Sequence, residues 1–295
     1  MREVSLAATQ FSCGWDIDEN VGKAERLVRQ AAAAGANVVL VQELFETPYF
    51  CAVQKHSFMD LARPLDGHPT IERLRRVARE VGVVVPVSVF ERAGTALFNS
   101  VVVLDADGST VGHYRKSHIP QAPGYEEKYY FSPGDTGFNP VQTKFGRLGI
   151  AICWDQWFPE AARSLVLRGA EFLMYPTAIG SEPATPALDS MEHWRIVMRG
   201  HAGANMVPVV ASNRIGTETT DGVTMTFYGS SFIANHLGSL VASADRNSEQ
   251  VLVHRFDLDA CRAYRESWGC FRDRRPDLYG ALATLDGGAS ALARA

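Results

Sequence analysis

Long apolar runs are missing: no stretch of the 295 residues approaches the roughly 20 apolar positions that a membrane-spanning helix requires. The opening residues, Met1-Arg2-Glu3-Val4, carry none of the apolar core of a secretory signal. An excess of either charge is missing too, since 29 basic residues face 33 acidic ones for a net charge of −4. That balance argues against a polyanion-binding surface, so neither nucleic acid nor membrane is an expected partner, while a small cationic ligand stays open. Cysteine is sparse and odd in number: Cys13, Cys51, Cys153, Cys261 and Cys270, with no C-x-x-C among them. Disulfide scaffolds and zinc ribbons are thereby excluded, and reduced thiols in a cytoplasmic protein are expected. No cluster with metal-ligand spacing stands out, and no metal or organic cofactor is expected. What is present excludes disorder, because 46% hydrophobic and 21% charged residues suit a chain that buries a core.

Proline, glycine and serine nowhere accumulate into a linker, so the chain reads as one domain over 1–295, with a loosely held Ala/Gly-rich tail from about 286 placed to reach a partner subunit. Short β-branched runs alternate with helical stretches. Residues 4–10 suit a strand, Asp16 or Asp18 can cap a helix running to Gly35, and 37–42 is an apolar strand of the doubly covered kind. Pro69 can open a helix whose apolar face is Leu74, Val77, Ala78 and Val81, closed by Gly82. Runs at 83–90, 96–104 and 109–115 are joined by short turns and read as hairpins, which makes the sheet mixed. A second strand-rich half follows: strands at 148–152, 171–175, 207–212, 227–235, 239–244 and 250–256, with helices from Pro159 and over 190–206. The loose likeness of the halves predicts an α/β fold of two packed sheets with helices outside.

Three strand-end residues are candidates, although taken singly Cys153 suits a buried structural thiol and Lys116 a solvated surface lysine, and only Glu43 is out of place. Cys153, in Gly149-Ile150-Ala151-Ile152-Cys153-Trp154-Asp155, ends an apolar strand just before a helix, where backbone N–H groups lie near a nucleophile. Glu43 ends the apolar strand Val38-Val39-Leu40-Val41-Gln42, where a carboxylate has a reason to be only if it reaches a site at the strand's carboxyl end. Lys116 ends a strand in His113-Tyr114-Arg115-Lys116-Ser117-His118. Histidine is the usual base for a thiol, and His118, His193 and His201 are available, but none stands in a context that specifies it.

A strand-end glutamate, lysine and cysteine in this order resemble the carbon–nitrogen hydrolase (nitrilase) superfamily. The likeness is carried by Val41-Gln42-Glu43-Leu44-Phe45, by Tyr114-Arg115-Lys116-Ser117-His118, and by Ile152-Cys153-Trp154-Asp155-Gln156-Trp157-Phe158-Pro159-Glu160. It runs on through Ala211-Ser212-Asn213-Arg214-Ile215-Gly216 and spans essentially the whole chain. Within the superfamily the chain is most similar to the branch that hydrolyses N-carbamoylputrescine. That closer likeness rests on Gln121-Ala122-Pro123-Gly124-Tyr125-Glu126-Glu127-Lys128-Tyr129-Tyr130-Phe131, on Ile179-Gly180-Ser181-Glu182-Pro183 and on Phe271-Arg272-Asp273-Arg274-Arg275-Pro276.

The resemblance implies a four-layer α-β-β-α sandwich with two mixed sheets. It implies Cys153 as nucleophile, Glu43 as general base, and Lys116 with the backbone N–H of Trp154 as oxyanion partners. Glu127 would position the lysine and substrate, with adjacent Glu126 its solvated neighbour. The implied reaction cleaves the ureido C–N bond of a small cationic substrate to an amine, carbon dioxide and ammonia, a step of polyamine biosynthesis without metal or cofactor. Glu182 would meet the substrate ammonium, while Tyr130, Trp154 and Trp157 would wall its aliphatic chain. An N-carbamoyl amino acid or β-ureidopropionate hydrolase, or another ω-amidase, remains open, since Arg195, Arg199 or Arg214 could hold a carboxylate. A homo-oligomer, joined through the helix after Pro159 and the C-terminal segment, is also implied.

Overall fold

The computed structural model describes residues 2–288, so of the expected tail at 286–295 only the first three positions fall within it and 289–295 lie outside the described residues. The first half runs β1 (Glu3–Gln10), α1 (Ile17–Ala33), β2 (Val38–Leu40), α2 (Pro69–Val81), β3 (Val85–Ala93), β4 (Ala96–Leu104) and β5 (Thr110–Arg115). The second runs β6 (Val141–Thr143), β7 (Gly146–Ile150), α3 (Pro159–Leu167), β8 (Phe172–Pro176), α4 (Met191–Asn205), β9 (Val209–Ser212), β10 (Ile215–Thr220), β11 (Val223–Tyr228), β12 (Phe232–Ala234), β13 (Leu240–Ser243), β14 (Gln250–Asp257) and α5 (Leu258–Trp268). The foreseen stops operate: the Asp16 carboxylate accepts the Glu19 N–H at the start of α1, and Gly82 closes α2 with a left-handed φ of 69°.

Strands β14-β1-β2 and β3-β4-β5 join through the parallel bridge between Val38 and Val84 into one mixed sheet. A six-stranded sheet, β13-β12-β9-β8-β7-β6, lies against it, parallel over β7, β8 and β9 and antiparallel elsewhere. Period-2 alternation sorts the faces. Leu6, Ala8, Val38 and Leu40 point inward and pack with Leu148, Ile150 and Phe172 of the second sheet. Ala7, Val39, Val85 and Val87 point the other way, under Val21, Leu27, Leu74 and Val77 of α1 and α2. Leu165, Trp194 and Met198 of α3 and α4 cover the far side of the second sheet. The four layers are therefore helix, sheet, sheet, helix, each fully buried large apolar side chain contributing about 1.5–3 kcal/mol.

The expected strand over 227–235 is two strands. Gly229 and Ser230 both take positive φ, 51° and 60°, and turn the chain between β11 and β12. Position 229 also has no room for a Cβ, which would meet Ile215 Cγ2 at 2.6 Å. Strand β11 instead pairs with β10 as a hairpin, and α5 is a further element that apolar spacing alone did not announce; Asp257 caps it through the N–H groups of Asp259 and Ala260. The apolar runs at 37–42 and 148–152 pair only to Leu40 and Ile150, because the chain leaves the sheets toward positive-φ residues Leu44 and Cys153. No helix among the described residues is long and apolar enough to cross a membrane.

Two measurements probe this packing. A Cβ on Gly149 of β7 would sit 2.5 Å from Leu173 Cδ2 and 3.0 Å from the Ala170 Cβ; Gly149→Ala should cost about 1–3 kcal/mol in urea unfolding. His68 is buried, makes no hydrogen bond through either ring nitrogen and has Nε2 3.9 Å from Glu46 Oε2; burial and then nearby Arg63 hold it down at about 4 from an ordinary 6.5. The unfolded chain then binds a proton that the native state refuses between those two values. Stability is full above pH 6.5 and falls as pH drops toward 4, by up to about 1.4 kcal/mol per unit, a slope that His68→Leu should flatten.

Candidate active site

Chain ends from both sheets meet at one place. Glu43 follows β2, and its N–H donates to Thr177 O (3.4 Å) just beyond β8 of the other sheet. Arg214, fully buried after β9, donates to the carbonyls of Glu43 and Leu44, both at 2.9 Å, and its charge is met by Glu218 of β10 at 2.9 Å. Lys116 follows β5: its N–H donates to Asn99 O on β4, and its carbonyl accepts the Gly134 N–H, both at 2.8 Å. A side chain at 134 would strike the Arg115 carbonyl at 2.1 Å, so only glycine lets that strand end be approached so closely. Cys153 follows β7 with φ 38°, opening the short 3-10 turn Cys153–Trp157.

These backbones bring together a buried charge cluster. Lys116 Nζ lies 2.9 Å from Glu43 Oε1 and 2.6 Å from Glu127 Oε2, with all three side chains closed to solvent. Asn99 Nδ2 donates to the same Glu43 oxygen (2.7 Å), and the Tyr49 hydroxyl donates to Glu127 Oε1 (2.6 Å). Glu43 Oε2 is buried and has no partner, leaving it free to accept a proton. Burial alone would lower the Lys116 ammonium, but Glu127 and Glu43 overturn that and hold it well above its usual value, so the lysine stays charged. Burial raises the Glu127 carboxyl, with Lys116 opposing. Burial and then the Glu43 carboxylate push the Cys153 thiol well up, against the pull of Lys116. The resting sulfur is thus a thiol, and any use of it as a nucleophile would require a base.

Cys153 opens on a cavity of about 340 Å³ whose wall includes Glu127, Trp154, Trp157, Tyr125, Ile179 and Glu182. Of the residues expected around a substrate, Trp154, Trp157 and Glu182 stand on this wall and Tyr130 does not. Tyr130 donates its hydroxyl proton to Val53 O (2.6 Å) and packs its ring on Phe50 and Phe90, a core position. Tyr125, five residues earlier, takes the wall place, its hydroxyl accepting the Gly180 N–H. Glu182 is in none of the ion pairs among the described residues; burial raises its carboxyl, and Ser190 Oγ, at 3.4 Å, pulls it back.

The arginines left open for a carboxylate are engaged elsewhere. Arg195 donates to Ser230 O and Ser243 Oγ, Arg199 to Gly238 O, and Arg214 braces the Glu43 main chain. Among the histidines, His118 bonds Asp155 and His201 bonds Gln156 O, while His193 lines the cavity beside Trp157. Sequence reasoning missed Asn99, Tyr49 and Tyr125. Asn99 carried a signal, being an amide inside the apolar run of β4. Among the described residues no three His, Cys, Asp or Glu side chains group so as to hold a metal ion.

Comparison with known proteins gives the family of the chain. The sequence pattern of the Carbon-nitrogen hydrolase family matches residues 5–266. An N-carbamoylputrescine amidase of Arabidopsis thaliana is 61% identical over 290 residues, 97% of each chain. A citrullinase of Francisella tularensis is 50% identical over 279 residues, 95% of this chain and 98% of the other. The crystal structure of a carbon-nitrogen hydrolase from Helicobacter pylori G27 superposes with a TM-score of 0.89 at 37% identity, covering 96% of this chain and 99% of that one. With the two sheets, the buried Glu–Lys–Glu cluster and the strand-end thiol in place, this chain belongs to the carbon–nitrogen hydrolase family.

Proposed function

We propose that this chain hydrolyses the ureido C–N bond of N-carbamoylputrescine, yielding putrescine, carbon dioxide and ammonia. The carrying observation is the cavity wall: the nucleophile, apolar indole and aliphatic surface, and the ion-pair-free carboxylate of Glu182, with neither lysine nor arginine on it. An alkyl chain ending in an ammonium satisfies each of these, and the cation offsets the burial of Glu182. A carboxylate-bearing ureido acid finds no arginine there. The 61% identical amidase supports the same reading.

In this mechanism Glu43 Oε2 takes the thiol proton as the Cys153 sulfur attacks the ureido carbon. Lys116 and the Trp154 backbone N–H stabilise the oxyanion, each such donor being worth ~100–1,000-fold in rate. Collapse breaks the C–N bond to the terminal nitrogen, which leaves as ammonia with the proton Glu43 returns. A carbamoyl thioester on Cys153 remains. Water, deprotonated by Glu43, attacks it, and the released carbamate decomposes to carbon dioxide and putrescine. Glu127 keeps Lys116 charged and in place throughout.

The same reading makes the chain one cytoplasmic domain that forms a homo-oligomer. Five free cysteines suit a reducing compartment. Exposed Leu167 on α3 and Leu278 and Leu282 near the C-terminus supply apolar contact surface. Light scattering at micromolar concentration should therefore report more than one subunit, and a monomer would sink the assembly. In an ammonia-release assay N-carbamoylputrescine should outpace citrulline and N-carbamoyl-β-alanine; a preference for either acid overturns the substrate assignment. Glu182→Gln should raise KM for N-carbamoylputrescine about tenfold or more and leave turnover of neutral butylurea nearly unchanged. Equal losses on both compounds would remove Glu182 from ammonium recognition.

A further inference from the structure

We propose that Asp155 is a positioning residue that locks the main chain around Lys116 to the turn carrying Cys153, so that the oxyanion partner and the nucleophile keep one mutual geometry. This rests on reading Cys153 as nucleophile and Lys116 as oxyanion partner. Asp155 is fully buried, and it is not on the cavity wall. Its carboxylate accepts four hydrogen bonds. Oδ2 takes the Ile152 N–H (2.9 Å) and the Tyr114 hydroxyl (2.7 Å), while Oδ1 takes the His118 N–H (2.9 Å) and faces His118 Nδ1 (2.7 Å).

Those donors fall on both sides of the site. Tyr114 and His118 stand two residues before and two after Lys116, and the Ser117 N–H donates to the Tyr114 hydroxyl oxygen at 3.3 Å. The His118 ring is fixed in turn by stacking on Phe158, centroids 3.6 Å apart at 7°. On the other side, the Asp155 N–H donates to Ile152 O (3.0 Å) while its carboxylate accepts the Ile152 N–H, so Asp155 ties off the turn at both ends of Ile152. Between those ties Cys153 sits at φ 38°, a conformation that a non-glycine residue keeps only where its neighbours over-determine it.

Charge accounting separates this cluster from the one already described. Glu43 and Glu127 hold the Lys116 side chain, whereas Asp155 holds its backbone. Among the described residues neither lysine nor arginine pairs with Asp155; its one ion-pair partner is His118. A buried carboxylate is costly to desolvate, and here four directional donors converge on it from two separate strand ends. Replacing one oxygen with an amide turns a donor against two donors and frees the segments from each other.

The test uses the full chain with Asp155→Asn, Tyr114→Phe, His118→Ala and His118→Asn. Two readouts are taken: kcat and KM for N-carbamoylputrescine, and the rate of iodoacetamide labelling of Cys153 followed by peptide mass mapping. Asp155→Asn should lower kcat about 100-fold with KM nearly unchanged, and should alter the labelling rate of Cys153 while circular dichroism stays native. His118→Asn, whose amide N–H reaches the same oxygen as the ring Nδ1, should recover most of the turnover lost in His118→Ala. Folded Asp155→Asn with wild-type kcat and labelling overturns the proposal, and so does equal damage from the two His118 variants. If Asp155→Asn does not fold, Tyr114→Phe combined with His118→Ala decides: losses that fail to add support one shared anchor, and additive losses refute it. A wild-type protein inactive on N-carbamoylputrescine would sink the substrate reading, while the labelling comparison would still judge Asp155.

Discussion

Lys116 carries its ammonium into a place closed to water, and the two carboxylates beside it make that burial tolerable. An isolated charge there would neutralise; flanked by Glu43 at 2.9 Å and Glu127 at 2.6 Å, it remains a cation. Each carboxylate then needs its own support, and the surrounding structure supplies it. Asn99 and Tyr49 donate to them, and Arg214 grips the Glu43 carbonyl. The cost of a buried three-charge cluster is spread over β4, the loop after β2, the 3-10 segment Glu127–Tyr129 and the chain beyond β9.

That cluster also decides the protonation logic at Cys153. A lysine committed to two carboxylates cannot by itself hold a resting thiolate, and the sulfur stays a thiol. The thiol rests beside a cluster in which Glu43 Oε2, alone among the carboxylate oxygens, has no partner. Being protonated, the sulfur is shielded from the oxidation that a standing thiolate invites.

Glu43 was legible in the sequence because it contradicts its setting, a carboxylate at the end of an apolar strand, whereas Cys153 and Lys116 each suit an ordinary buried thiol or surface lysine and were legible only together with it, through the family resemblance. The layers were legible for a related reason, since period-2 and period-3.6 patterns survive wherever one face is buried. Elsewhere the residue type underdetermines its place. Tyr125 and Tyr130 share one aromatic-rich stretch, and either could wall a cavity or fill a core; only the hydroxyl partners Gly180 and Val53 separate them. The β10–β11 hairpin hid because its outward threonines, such as Thr217 and Thr226, pair across strands through hydroxyls rather than through an apolar stripe. The break at Gly229 and Ser230 is a matter of φ, which composition does not print.

Because Glu43 and Lys116 follow strands of one sheet and Cys153 follows a strand of the other, no fragment that lacks either sheet can bring the three together. During synthesis Glu43 and Lys116 leave the ribosome well before Cys153, and Arg214, which braces Glu43, emerges later still. The charge cluster and the thiol come together only when the second sheet closes on the first, and they separate when the sheets part.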